Sequence, residues 1–298
     1  MESWKEKAKE LRFEQGMSWS NMAKELQDEF PTLSEHQVHE KIRRFLRRED
    51  DYNTSRFVYT GKQIFEYEFD EPIHLYPTGD WHIGAEGCLL KQLEKYLDEV
   101  WADPIGYLVL TGDLCETATQ GSKSSVFSQT MNPQKQKEKV LTLLDRFAQA
   151  DRILFGTNAN HEIRVFRTCG IDIMADIFSN LGILDRYNFS QGFIKIKIKG
   201  NKKPFNIYAT HSLGKSETAI QNKCRNFVDV DLFIGGHIHT PKLIYVAMRF
   251  FAGKTREIVA LIVTAWLQDE NYAISAAYSI SSMRTQMVEV GKELKVIS

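Results

Sequence analysis

The 298-residue sequence predicts an α/β domain preceded by a small all-α module. Three observations carry this reading. Residues 1–50 show helical spacing throughout. From His74 onward, short apolar runs rich in β-branched and aromatic residues alternate with amphipathic segments, the pattern of strands joined by helices. Residues 242–298 turn mostly β-like, so a second sheet is expected to pack on the first. The chain divides accordingly into a helical module at 1–50, a linker and strand at 51–70, and the main domain at 71–298.

In the module, Trp4, Ala8, Leu11 and Phe13 form a stripe that ends at Gly16. Ser18 suits the N-cap of a second helix carrying Met22, Ala23 and Leu26, which stops before Pro31. Ser34 with Gln37 reads as a capping box for a third helix. That helix turns Val38, Ile42 and Phe45 inward and carries Lys41, Arg43, Arg44, Arg47 and Arg48 on its other faces. Three short helices with a basic third one resemble a helix-turn-helix, and those five residues are candidate DNA contacts. Glu35, Glu40, Glu49 and Asp50 dilute the charge, so a solvated face on a docking bundle is the competing reading.

The main domain follows in order. Strands are expected at Gln63–Phe69, Leu75–Pro77, Tyr107–Leu110, Arg152–Phe155 and Leu232–Ile234. Phe193–Ile198 and Phe205–Thr210 alternate as a hairpin about Gly200-Asn201. Helices are expected at Leu89–Val100, Pro133–Ala150, Ile171–Leu181 and Lys215–Phe227. Gln120–Met131 is a loop.

With 38 Lys plus Arg against 39 Asp plus Glu, the net charge of -1 excludes a polybasic protein whose whole surface binds nucleic acid. A composition of 43% hydrophobic and 26% charged residues is globular rather than disordered. No apolar run approaches the ~20 residues of a membrane span. The charged N-terminus has no secretory stretch, and Cys88, Cys115, Cys169 and Cys224 are scattered without a C-x-x-C pair. The expectation is a cytoplasmic protein with no membrane partner.

Five polar clusters each follow a predicted strand: Gly79-Asp80-Trp81-His82, Gly112-Asp113, Asn160-His161-Glu162, Thr210-His211 and Gly236-His237-Ile238-His239. Ligands bind at strand ends in α/β sheets. One Asp or His there is unremarkable, but five such ends are hard to explain as packing. Carboxylate, amide and imidazole donors without thiolate suit divalent Mn, Fe, Zn, Ni or Co. Residues two apart on an extended segment face one way, so Asp80 with His82, and His237 with His239, can each converge on one ion. A carboxylate such as Asp113 can bridge two. Arg164 and Arg167 are candidates for a phosphate oxygen. Trp81 and Trp266 suit core packing better than base stacking, and His74 is read as structural.

The order D-x-H, G-D, N-H-E, H, G-H-x-H resembles the calcineurin-like dinuclear metallophosphoesterases over residues 74 to about 240, and the β-rich tail fits the same fold. The resemblance implies two stacked β-sheets flanked by helices. It implies that Asp80, His82, Asp113 and His239 hold one ion, Mn being favoured. Asp113, Asn160, His211 and His237 would hold the other. His161 would be the non-ligand histidine that stabilises the transition state or protonates the leaving oxygen. A hydroxide activated by the two metals would attack phosphorus. Two departures stand out. Ala159 replaces the family's glycine before Asn160, so a strained or altered loop is expected there. Gly112-Asp113-Leu114-Cys115-Glu116 lacks the Asp-Arg continuation of the protein phosphatase branch.

A helix-turn-helix joined to such a domain resembles phage- or prophage-type metallophosphoesterases. The leading expectation is a phosphodiesterase or nuclease acting on DNA. The alternatives are a small-nucleotide phosphatase or phosphodiesterase whose helices serve homo-oligomerisation, and a non-catalytic DNA-binding assembly protein.

Overall fold

The computed structural model describes residues 3–11, 17, 19–42, 45–46, 62–119, 122, 126–249, 255–268 and 285–297. The chain forms two compact units, Met1–Thr60 and Gly61–Ser298.

The first unit contains α1 (Ser3–Lys9), α2 (Trp19–Glu25) and helical residues 35–42 (α3). The capping box forms as expected. The Ser34 amide donates to Gln37 Oε1 at 2.9 Å, and the Gln37 amide to Ser34 Oγ at 3.3 Å. This satisfies donors that the first helical turn leaves open. Trp4, Ala8, Leu11, Met22, Ala23, Leu26, Val38 and Ile42 bury together with Phe30 and Leu46. Phe13, Gly16 and Ser18 lie outside the described residues.

In the second unit, one six-stranded sheet has the order β1-β6-β7-β8-β10-β9. Its strands are β1 (Ile64–Phe69), β6 (Gln191–Ile198), β7 (Phe205–Thr210), β8 (Leu232–Gly235), β9 (Lys242–Arg249) and β10 (Thr255–Ile262). The other sheet runs β12-β11-β2-β3-β4-β5. It comprises β2 (Ile73–Thr78), β3 (Gly106–Leu110), β4 (Ile153–Thr157), β5 (Tyr187–Asn188), β11 (Met287–Val290) and β12 (Leu294–Ile297). The β6–β7 hairpin is antiparallel as expected, whereas β2, β3, β4 and β5 run parallel.

Helices α4 (Leu90–Ala102), α5 (Pro133–Gln149) and α7 (Ile173–Asn180) cover the second sheet. α4 buries Leu93, Tyr96, Leu97 and Val100, a 3-4-7 spacing that makes one apolar stripe. α5 starts sharply because Pro133 follows Asn132, whose side chain accepts from the Lys135 amide. α8 (Glu217–Arg225) buries Ile220 and Cys224 against the first sheet. A further apolar cluster draws Phe65, Ile194, Ile207 and Leu261 from the first sheet and Leu75, Val109, Phe155 and Val288 from the second. There Phe65 meets Phe155 edge-on at 5.0 Å.

Three expectations change. β1 belongs to the second unit and its sheet, so the strand in 51–70 is not part of a linker. The tail is not a sheet of its own: β9 and β10 join one sheet, β11 and β12 the other. Asn160-His161-Glu162, read only as a polar cluster, opens a further helix, α6 (Asn160–Cys169). Among the described residues, no helix is long and apolar enough to cross a membrane.

Candidate metal centre

The strands β2, β3, β4, β7 and β8 end at one place, and each is followed by one of the five polar clusters. Backbone bonds tie these loops together. The Asp80 amide donates to Gly112 O at 2.9 Å, Gly236 to His211 O at 2.7 Å, and Trp266 to Asp80 O at 2.8 Å. Asp80, His82, Asp113, His237 and His239 are five of the seven non-glycine residues with positive φ among those described. Such a conformation costs of order 1–3 kcal/mol each and persists where surrounding structure imposes it. Strain collected on so few side chains marks a site that positions them.

Two glycines make the geometry feasible. A Cβ on Gly236 would stand 2.4 Å from Asp80 Oδ2, the atom that accepts the His237 amide at 2.8 Å. Gly112 has φ +82°, and a Cβ there would lie 2.5 Å from the Ala159 Cβ. Gly112→Ala should therefore destabilise the metal-free protein by about 1–3 kcal/mol through φ alone. Denaturant unfolding would read this, and an unchanged midpoint would refute it. Ala159 itself is unstrained, with φ −142° and ψ 179°. The strain expected there is absent, because extended backbone suits alanine.

All seven predicted metal ligands converge. His82 Nε2 lies 3.2 Å from His239 Nε2, and His239 Nε2 lies 3.9 Å from Asp80 Oδ1. Asn160 Oδ1 lies 2.8 Å from His211 Nε2 and 2.9 Å from His237 Nδ1. Asp113 Oδ2 is 3.2 Å from His211 Nε2. The neighbouring Asn158 is engaged elsewhere, donating to Asp172 Oδ1 at 3.2 Å.

The chemistry of the donors fits a cation. His82 Nδ1 is held by Glu116 Oε2 at 3.0 Å, and His211 Nδ1 donates to Thr111 O at 3.0 Å. Both Nε2 atoms therefore turn into the centre, as outer partners of metal-binding histidines arrange. Among the described residues, the buried atom Asp80 Oδ1 has no hydrogen-bond partner, and Asp113 Oδ2 meets the His211 imidazole. Buried carboxylate oxygens are costly when unpaired. The triads Asp80-His82-His239 and Asp113-His211-His237 each bring their ligating atoms within 4.8 Å of one another, so these buried clusters could hold a metal ion. A third triad, His82-Asp113-His161, shares two of the same residues.

Burial pushes the His82 and His237 imidazoles down, toward the neutral ligand form. Burial acts likewise on His211, but the Asp113 and Asp80 carboxylates outweigh it and hold this imidazole up at about 9. Without a cation, a proton balances those carboxylates. Metal uptake should thus displace a proton from His211 Nε2 at pH values below about 9, and affinity should rise with pH up to that point. Calorimetry in buffers of differing ionisation heat counts released protons; zero release would contradict this exchange.

Beside the ligands stands His161. Its amide donates to Asp113 Oδ1 at 2.8 Å, and its Nδ1 lies 2.9 Å from Glu116 O and 3.1 Å from Glu116 Oε2. Its Nε2 lies 3.1 Å from Arg164 Nη2 and 3.8 Å from Asp113 Oδ2. Burial opposes charge on this ring, yet Asp113 and Glu116 hold it up at about 9. Burial likewise opposes charge on Glu116, but His161 and His82 override it and keep that carboxyl well below its usual range.

Glu116 and Glu162 are site residues that sequence reasoning did not assign. Glu162 is buried and accepts the Asp113 amide at 3.1 Å and the Cys115 amide at 2.9 Å, clamping the second loop. It lay inside a recognised cluster, which was its signal. Glu116, three residues after Asp113, had none. Trp81 and Trp266 are buried and both donate to Thr78 Oγ1, so they are core residues. Arg167 is exposed. In the first unit, Lys41 Nζ sits 4.3 Å from the Phe30 ring centroid. Arg43, Arg44, Arg47 and Arg48 lie outside the described residues. No family model matches the chain, and no curated protein does.

Proposed function

We propose that the chain is a metal-dependent phosphoester hydrolase of the calcineurin-like dinuclear type, its sheets stacked as in that fold. One observation carries this reading. Asp, Asn and His side chains from five strand ends converge around the two buried carboxylates of Asp80 and Asp113. Asp80, His82, Asp113 and His239 would hold one ion, and Asp113, Asn160, His211 and His237 the other. Divalent ions, Mn first, would supply positive charge for phosphoryl oxygens and draw the pKa of water toward neutrality.

The chain's own residues do the rest. Glu116 holds His161 by Nδ1, which fixes the ring and leaves Nε2 on the side of Asp113. Nε2 is thus the atom that can carry a proton to a leaving oxygen or bind a phosphoryl oxygen. Glu162 keeps Asp113 in register through two backbone amides.

DNA is the proposed substrate, on the strength of the three-helix module. One observation favours a small nucleotide instead: the Lys41 ammonium is placed over Phe30 in its own unit's aromatic cluster. The test is cleavage of end-labelled single- and double-stranded DNA with Mn, run beside a small-nucleotide panel. Metal-dependent shortening of DNA supports the nuclease reading. Intact DNA with turnover of small esters moves the substrate to nucleotides. No hydrolysis with any divalent metal would overturn the enzyme itself.

A further inference from the structure

We infer that Gln136, at the start of α5, is a positioning residue for His161: it locks the Glu116–Thr117 peptide, whose carbonyl holds the histidine ring. This rests on the phosphoester reading above, in which His161 serves the leaving oxygen.

Gln136 stands out on its own helix. The inward stripe of α5 runs Gln136, Val140, Leu144 and Phe147, and the glutamine is its one polar member, fully buried. A buried amide is costly unless its groups are paired. Here Nε2 donates to Met131 O at 2.8 Å and to Gln129 Oε1 at 2.9 Å. Both amide hydrogens are thereby placed, so Oε1 is the end that accepts the Thr117 amide at 2.9 Å. Gln129 closes the network. It accepts from the Ala118 amide at 3.0 Å and donates to the Ala118 carbonyl at 3.2 Å.

The Glu116–Thr117 peptide is therefore held on both sides. Its N–H points to Gln136, and its C=O lies 2.9 Å from His161 Nδ1. In a planar trans peptide these two groups point opposite ways, so one orientation serves both bonds. That orientation is strained. Thr117 has φ +42°, a left-handed conformation that β-branched residues rarely adopt. Turning the peptide over would relieve φ, but it would carry the carbonyl away from His161 and strand the Thr117 amide in the core. Thr117 is itself buried, and its Oγ1 donates to His161 O at 2.6 Å, tying the same residue to the histidine's backbone. Strain of this kind persists only where the surroundings impose it. The Gln136 acceptor imposes it here, one peptide removed from the ring.

The test compares Gln136→Met, which keeps the side chain's length and removes the acceptor, with wild type as full-length, Mn-loaded proteins. With whichever ester the wild type hydrolyses, kcat should fall about tenfold to a hundredfold, the cost of slightly misplacing a reacting group. KM should stay within about threefold, since the loss falls on the chemical step. Elemental analysis should find Mn content unchanged. In a His161→Ala background the same substitution should change kcat less than about twofold, because its route to the reaction is gone. Equal losses in the two backgrounds would mark a merely structural residue and overturn the positioning role. So would an unchanged kcat in Gln136→Met. Where Gln136→Met does not fold, Gln136→Asn keeps an amide in the core, withdraws it from Thr117, and is held to the same outcomes. A wild type that hydrolyses no ester with any divalent metal would instead overturn the phosphoester reading, and this role with it.

Discussion

Asp113→Asn should lose hydrolysis to below about one part in a thousand while keeping its fold. Asp113 is buried, and its two oxygens do different work. Oδ1 accepts the His161 amide at 2.8 Å, a bond that an asparagine oxygen can also accept. Oδ2 meets His211 Nε2 at 3.2 Å. An asparagine NH₂ placed there donates to that nitrogen and occupies the cation's position. The residue also belongs to two of the three ligand triads, so one change weakens both proposed ions.

Stability of the metal-free protein should fall as well. Asp113 is the counter-charge of the His211 and His161 imidazoles, and neutralising one partner of a buried pair is destabilising. Metal-free Asp113→Asn should therefore melt below metal-free wild type. Added Mn should raise the wild-type melting temperature and leave the variant nearly unmoved. Turnover within tenfold of wild type in excess Mn would remove Asp113 from the bridging position.

What the sequence reveals about this centre depends on how local each cause is. The ligand pairs Asp80/His82 and His237/His239 are legible because a spacing of two and a preceding glycine are local features. Asn160 is legible from its neighbour His161; in the structure Asn160 reaches His211 and His237, while Asn158 is engaged by Asp172. The capping box at Ser34 and the α5 start at Pro133 are local in the same way. Glu116 is not legible. Its importance arises only when β3 pairs with β2 and with β4, which brings His82 and His161 to it across 34 and 45 residues. Membership of a sheet is equally non-local, which is why β9 to β12 read as strands but not as partners of two sheets. α6 was hidden because its first turn spells the polar cluster itself. That Ala159 is free of strain is not legible either, because its extended φ is known only once the loop after β4 is built.

His161→Ala separates chemistry from metal binding. The backbone amide of residue 161 still donates to Asp113 Oδ1, so the loop and the bridging carboxylate keep their positions. What disappears is a ring packed edge-on against His82 at 4.4 Å, together with its Nε2 beside Asp113. The His82 ring keeps Glu116 on Nδ1 and its own Nε2 toward His239. Neither the Asp80-His82-His239 triad nor the Asp113-His211-His237 triad contains His161. Metal content should therefore match wild type by elemental analysis, while the rate falls by ~10²–10⁴, the usual worth of a positioned acid or base. The loss should shrink for substrates with a good leaving group, whose oxygen departs without a proton. The remaining triad, His82-Asp113-His161, supplies the contrary outcome. If His161→Ala loses an ion, His161 is a ligand, and its contact with Glu116 orients a metal-binding ring rather than an acid.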